Sequence, residues 1–288
     1  MAGDTSVSVS QGARVRRGYV DTALGQTHYR EAGSGEPIVL FHRTPSSSAC
    51  FSRVLPLLGQ RFWAIAPDNP GFGMSDPLTG PPGPTMEPYV AAAVDFLDAK
   101  GIERATLVGH STGSAIVTHL AASHPDRVER LVIAGYTGCA TDQEVDELFA
   151  VLKTGMSPTW GQPVTLDGTG AFLDEYPLTP LRNVIGRFDD PDHFVMEMIS
   201  HLQGLPNYEW PFQAVLAFPG PVAVYPDIKC PVLFINAQSG MGYTFGKRAH
   251  ERFPGSHYTE IEGTSEYPMQ NPSAFADVIT RFVDTDAA

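Results

Sequence analysis

The sequence predicts an α/β protein, a mostly parallel central sheet flanked by helices and interrupted by one inserted helical segment. Three observations carry this. Short apolar runs, PIVLF at 37–41, ATLVG at 105–109 and PVLFIN at 231–236, read as strands buried on both faces. Amphipathic, helix-length stretches separate them, and such alternation implies parallel pairing with right-handed crossovers. The rhythm stops between residues 138 and 229, where no clear strand is legible.

Each element follows in order. Residues 1–17 read as a flexible N-terminal arm, and 18–22 and 27–31 as a hairpin across Ala23-Leu24-Gly25-Gln26. The strand at 37–41 ends on His42-Arg43-Thr44-Pro45. A helix is expected over 49–58 and the next strand over 62–66, running into the turn-rich Asp68-Asn69-Pro70-Gly71-Phe72-Gly73-Met74-Ser75-Asp76. A long amphipathic helix spans 85–100, with Gly101 suited to its C′ position. After the strand at 105–109, apolar residues at helical spacing run from Gly113 until Pro125 stops them, and 128–134 is another strand. Helices are expected at 143–153, 191–202 and 208–218. Then come a strand at 231–236, a helix at 245–253, the last strand at 257–261 and a closing helix at 273–283.

The organisation is therefore a core of residues 18–137 and 230–288 with a helical lid at 138–229. The lid is also set apart by composition, with 13 acidic and four basic residues and many aromatics, among them Trp160 and Trp210.

A chain of 288 residues, 42% hydrophobic and 18% charged, has the composition of a soluble globular protein. Its net charge of −13 argues against nucleic acid and anionic membrane surfaces as partners. The expected partner is a small-molecule substrate, and oligomeric state is left open. Cys50, Cys139 and Cys230 are scattered with no C-x-x-C, so neither a disulfide framework nor a zinc site is implied. The N-terminus has no signal-like apolar core and no apolar run reaches about 18 residues, so a cytoplasmic, membrane-free location is expected. There is no H-E-x-x-H and no P-loop, and the G-F-G at 71–73 precedes no dinucleotide-type helix. No metal or organic cofactor is expected.

The chemistry centres on Gly109-His110-Ser111-Thr112-Gly113, a G-x-S-x-G between a strand and a helix. Such an elbow forces its central residue into a strained backbone, and glycines on either side let strand and helix pack closely. It holds the Ser111 hydroxyl clear of the sheet at the positive end of a helix.

With the D-x-x-G-x-G-x-S at 68–75, the apolar strand ending in His42, the inserted segment and the closing strand–loop–helix, the chain resembles the α/β-hydrolase superfamily over residues 18–285. The resemblance implies Ser111 as nucleophile and an oxyanion hole from the amides of Thr112 and of Arg43 or Thr44. It also implies a Ser–acid–His triad, and here the chain departs. Glu266, in Gly263-Thr264-Ser265-Glu266-Tyr267-Pro268, stands in the histidine's slot, and the loop after the penultimate strand, Asn236-Ala237-Gln238-Ser239-Gly240-Met241, holds no carboxylate. Asp142 is the nearest acid after the preceding strand. His110 is expected to point away from Ser111, while His201 in the lid is the histidine best placed to substitute, ahead of His193.

A carboxylate at its ordinary pKa is a weak base, but burial raises it toward the working range. Arg43, where the family usually has glycine, reads either as an anchor for a substrate anion or as a solvated side chain propped on Pro45. His42, Arg43, Trp160, His201, Trp210 and Tyr267 are the expected substrate contacts. Three functions fit: ester- or lactone-type hydrolysis at Ser111 with Glu266 as an atypical base, non-hydrolytic catalysis (cyclase, lyase or isomerase) with Glu266 as base, or ligand binding by a catalytically silent relative.

Overall fold

The computed structural model describes residues 12–80, 83–135, 141–155, 191–205, 209–217, 221–240 and 243–285. Eight strands form one sheet: β1 (Arg16–Thr22), β2 (Gly25–Ala32), β3 (Pro37–Phe41), β4 (Trp63–Pro67), β5 (Ala105–His110), β6 (Val128–Ala134), β7 (Val232–Ala237) and β8 (His257–Ile261). Their order is β1-β2-β4-β3-β5-β6-β7-β8. Only the β1–β2 hairpin and its pairing to β4 are antiparallel, and every pair from β4 to β8 is parallel. The helices are α1 (Leu55–Leu58), α2 (Glu87–Ala99), α3 (Thr112–Ser123), α4 (Asp142–Gly155), α5 (Pro191–Gly204), α6 (Glu209–Ala217), α7 (Pro221–Val224), α8 (Tyr243–Glu251), α9 (Tyr267–Gln270) and α10 (Pro272–Thr285).

Period-two alternation sends neighbouring strand residues to opposite layers. Val39, Phe41 and Leu107 pack under α2 and α3 with Phe96, Ile116 and Leu120. Ile38, Leu40 and Val108 pack on the other face with Leu55, Phe275, Ile279 and Phe282. Both layers are fully apolar, which is why the parallel strands read as unbroken hydrophobic runs.

The end of α2 follows from Gly101. Its φ of +66° is a left-handed conformation that glycine adopts freely. The amide of Ile102 then reaches the Leu97 carbonyl at 2.8 Å, and that of Gly101 the Asp98 carbonyl at 2.9 Å, a Schellman ending.

Two expectations differ. Of the arm expected over residues 1–17, residues 1–11 lie outside the described residues, while Ala13 donates its amide to the Pro56 carbonyl at 3.0 Å and Arg16 and Arg17 open β1. The helix at 49–58 is a 3₁₀ turn, Ser48–Phe51, followed by the short α1. Ser47 caps the turn through its side chain, and Pro56 has no amide to give a continuing helix. Between β6 and β7 the described residues form α4 to α7 and no strand. None of the described helices is long and apolar enough to cross a membrane.

Candidate active site

The elbow sits at the carboxyl end of β5, where parallel sheets place their sites. Ser111 has φ 53° and ψ −111° and is the one non-glycine residue with positive φ among the described residues. Its amide donates to the Ala134 carbonyl at 2.8 Å, and Ser114 Oγ donates to the carbonyls of Gly109 (2.7 Å) and Ala134 (3.0 Å), fastening helix to strand.

Both glycines are required. A Cβ on Gly109 would strike the Gly113 carbonyl, and one on Gly113 would strike the carbonyl of Phe41. That second contact brings the end of β3, and so residues 42–45, against the first turn of α3. Thr112 opens α3, so its amide is one of the donors without a carbonyl inside the helix. Ser111 is half-buried, and its hydroxyl does not cap its own helix.

The loop after β8 comes to the same place. His110, the residue inside the elbow, donates from Nε2 to the Ser265 carbonyl at 2.9 Å and packs edge-on to Tyr267. The next residue, Glu266, is buried.

The structure corrects the reading of Arg43. It is neither solvated nor a free anion clamp. It is buried, with Nε donating to Glu266 Oε2 at 2.8 Å, one terminal nitrogen to Glu197 Oε2 at 2.8 Å and the other to the Pro45 carbonyl at 3.1 Å. Its charge is already answered by two carboxylates, Glu266 from the core and Glu197 from α5. Ser46 Oγ lies 3.2 Å from both oxygens of Glu197.

When both acids are ionised, this buried cluster carries a net charge of −1, which burial penalises. Burial pushes the Glu266 pKa up to about 7, against the pull of Arg43 and with the help of Glu197. Burial raises Glu197 as well. Arg43 holds its proton more tightly than free arginine because its two acids outweigh the burial.

Glu197 was not legible in the sequence. It comes 154 residues after Arg43 and belongs to no motif. Its helix is inverted: Val195 and Ile199 are 54% and 51% exposed, while His193, Glu197 and His201 are buried. A charged residue sharing a helical face with histidines four residues to either side, His193 and His201, was the one available signal.

Two further expectations are corrected. His42 is fully buried, with Nδ1 at 2.7 Å from the Arg43 carbonyl and Nε2 accepting from the Asn69 amide at 2.8 Å. Both nitrogens are committed to the scaffold, and burial lowers its pKa to about 4. Tyr267 is buried and donates its hydroxyl to the Ile235 carbonyl at 2.9 Å, fixing the loop to β7.

His201 is brought to the site but not as a base. Its Nδ1 is 2.8 Å from the Glu197 carbonyl, which assigns the proton to Nδ1 and leaves Nε2 an acceptor with no partner among the described residues. Burial lowers its pKa to about 3. Trp210 is half-buried on α6, while Trp160 and the side chain of Asp142 lie outside the described residues.

The D-x-x-G-x-G-x-S motif is scaffold. Asp68 accepts from the Ser48 amide (2.6 Å), the Met74 amide (2.9 Å) and His28 (2.8 Å), tying β4 to the turn before α1. A surface cleft of about 300 Å³ lies elsewhere, lined by Glu87, Val90, Asp95, His119 and His124 and by none of the site residues.

The buried histidines set an acid limit on stability. Burial lowers His42, His110 and His201 to about 4, 3 and 3, from 6.5. A group whose folded pKa is depressed stabilises the fold above its unfolded pKa, and that stability drains away as pH falls toward the folded value. Glu266 works oppositely: its raised pKa favours the fold at low pH, a contribution lost as pH rises from about 4.5 through about 7. Glu197, also raised by burial, adds to Glu266. The three histidines are expected to prevail, so that urea unfolding shows a net loss of stability between about pH 7.5 and pH 5, and equal midpoints at both would contradict the buried, neutral histidines.

The comparisons with known proteins agree with this architecture. The profile of the alpha/beta hydrolase fold family matches residues 36–217. An uncharacterized protein of Mycobacterium tuberculosis is 27% identical over 278 residues, covering 89% of this chain and 78% of that protein. A 2-hydroxymuconate semialdehyde hydrolase of a Pseudomonas species is 33% identical over 139 residues, covering 47% of this chain and 46% of the enzyme. The crystal structure of an enol-lactonase from Burkholderia xenovorans superimposes with a TM-score of 0.67 at 21% identity, over 93% of this chain and all of that one. With a family match over more than half its length and the strand order described above, the chain belongs to the α/β-hydrolase fold family.

Proposed function

We propose that this chain is a cofactor-independent enzyme that hydrolyses an ester- or lactone-type bond in a small, largely apolar or aromatic molecule. Ser111 is the nucleophile and Glu266 the base. The observation that carries this reading is that a strained serine at the elbow tip and a buried carboxyl, pushed by burial up to about 7, belong to loops joined by the His110–Ser265 hydrogen bond. A serine hydroxyl needs a base to take its proton, and the leaving group needs that proton back. A carboxyl poised near neutrality does both, where an ordinary glutamate does neither well. The Thr112 amide, with that of Arg43 or Thr44, receives the developing oxyanion. Of the inserted segment, α5 brings Glu197 and His201 to the site, and the names of two relatives, a semialdehyde hydrolase and an enol-lactonase, describe small-molecule hydrolysis. His201 Nε2, a buried acceptor lacking a partner among the described residues, takes a hydrogen bond from a hydroxyl on the substrate.

The test is turnover of nitrophenyl esters by wild type, Ser111→Ala and Glu266→Gln across about pH 5.5 to 9. The expected result is a rate that rises through about pH 7 in the wild type, loss of turnover in Ser111→Ala, and a fall of about 10²–10⁴-fold in Glu266→Gln. Wild-type rates in Ser111→Ala would remove the nucleophile assignment.

One observation favours a second reading. The hydrogen bond that the Glu266 carboxylate makes among the described residues goes to Arg43, not to Ser111. A carboxylate held this way is also suited to taking a proton from substrate carbon or oxygen, as a cyclase, lyase or isomerase would. Activity that survives Ser111→Ala and disappears in Glu266→Gln would select it.

A further inference from the structure

We propose that Glu197, carried on α5, is a positioning residue for Glu266, acting on it through the guanidinium of Arg43 that the two acids share. The inference rests on the reading of Glu266 as the acid–base group. Arg43 and Glu266 come from loops of the sheet, after β3 and β8, whereas Glu197 comes from the segment between β6 and β7. Arg43 divides its planar fork between them, Nε to Glu266 and a terminal nitrogen to Glu197, each at 2.8 Å. The helix that brings Glu197 is seated by its own contacts. Ser200 Oγ lies 2.8 Å from Ser47 Oγ, and Gly204 packs so tightly on Phe72 that a Cβ there would come within 2.7 Å of the ring. Burying Glu197 while Val195 and Ile199 stay in solvent is costly for a helix, and its pairing with Arg43 and Ser46 is what offsets the cost.

The consequence is electrostatic. The other titratable groups packed around the cluster are neutral near pH 7. His42, His110 and His201 are held uncharged by burial, and the thiol of Cys50 and the phenol of Tyr267 are pushed up by it. Arg43, Glu197 and Glu266 carry the charge of the cluster itself; the carboxylate of Asp68, which also acts on His42, is already committed to His28 and to the amides of Ser48 and Met74. With α5 seated, one cation serves two acids, and Glu266 keeps its proton toward neutrality. Without Glu197 the whole of Arg43 serves Glu266, whose carboxylate becomes an ordinary ion-paired acid and a weak base. Seating of α5 over the β3 loop therefore arms the base.

The experiment is a carbon-13 NMR titration of the Glu266 carboxyl, assigned by its loss in Glu266→Gln, in wild type, Glu197→Gln and Glu197→Asp. A thermal melt of each variant establishes that it is folded. The expected result is a midpoint at least one pH unit lower in Glu197→Gln, with part of that shift restored in Glu197→Asp, which keeps the charge. The same displacement is expected in the acidic limb of ester turnover. An unchanged midpoint in folded Glu197→Gln overturns the proposal, as does a wild-type midpoint already at the ordinary glutamate value. Failure of the functional reading is recognised separately: there the NMR midpoint moves as expected while Glu266→Gln leaves turnover and its pH profile untouched.

Discussion

Replacing Arg43 with methionine is expected to destabilise the protein by about 3–5 kcal/mol near pH 7.5, the cost of leaving buried charge without its partner. Methionine fills a similar volume, so the loss is electrostatic rather than a cavity. Two buried carboxylates, Glu197 and Glu266, lose their cation, and among the described residues Glu197 keeps Ser46 at 3.2 Å and His201 Nδ1, neutral, at 4.0 Å. The loss should shrink as pH falls, because each acid escapes its penalty by taking up a proton, and burial already raises both. Comparing urea midpoints of wild type and Arg43→Met at about pH 7.5 and pH 5.5 checks this, since the histidine contribution is common to both proteins. A penalty below about 1 kcal/mol, or one independent of pH, would mean that the cluster of Arg43, Glu197 and Glu266 is solvated. The double variant in which Glu197 is also made glutamine should recover part of the loss.

Replacing Gly113 with alanine is the second large effect. The added Cβ meets the carbonyl of Phe41 and lies 2.6 Å from its carbon, with the His42 oxygen at 3.0 Å. These are backbone atoms of β3 and of the loop carrying Arg43, and they have no rotamer to escape into. The expected cost is roughly 3 kcal/mol, the upper end for overpacking, together with loss of turnover, because the clash displaces the oxyanion loop relative to Thr112. Stability from urea melts and ester turnover should fall together. Alanine at 113 with full activity would show that the β3 loop is not pressed against the elbow.

Much of this fold could be read from residue order. The last strand at 257–261, the strand at 128–134 and the buried PIVLF run lie where alternation and β-branching put them. The failure at 49–58 was local, since Pro56 and the Ser47 cap break a pattern that apolar spacing alone would have continued. The site was legible where a motif carries it: Ser111, the two elbow glycines and Glu266 all stand in short, positioned segments. Arg43 was visible as an anomaly, but its partners were not. Glu197 reaches it from the far side of a long insertion, and only the folded chain shows that α5 turns its polar face inward. His42 and Tyr267 were misjudged for a related reason. Residues beside a site are as often there to hold its loops as to touch a ligand, and what decides is whether their polar atoms are already spent.

Activation of Ser111 despite the missing histidine is tested most directly by intact-mass measurement after incubation with a fluorophosphonate, comparing wild type, Ser111→Ala and Glu266→Gln. A single adduct is expected on wild type, none on Ser111→Ala, and slowed labelling of Glu266→Gln. A folded wild-type protein that takes no adduct would contradict it, and Ser111 would then be a pocket residue rather than a nucleophile.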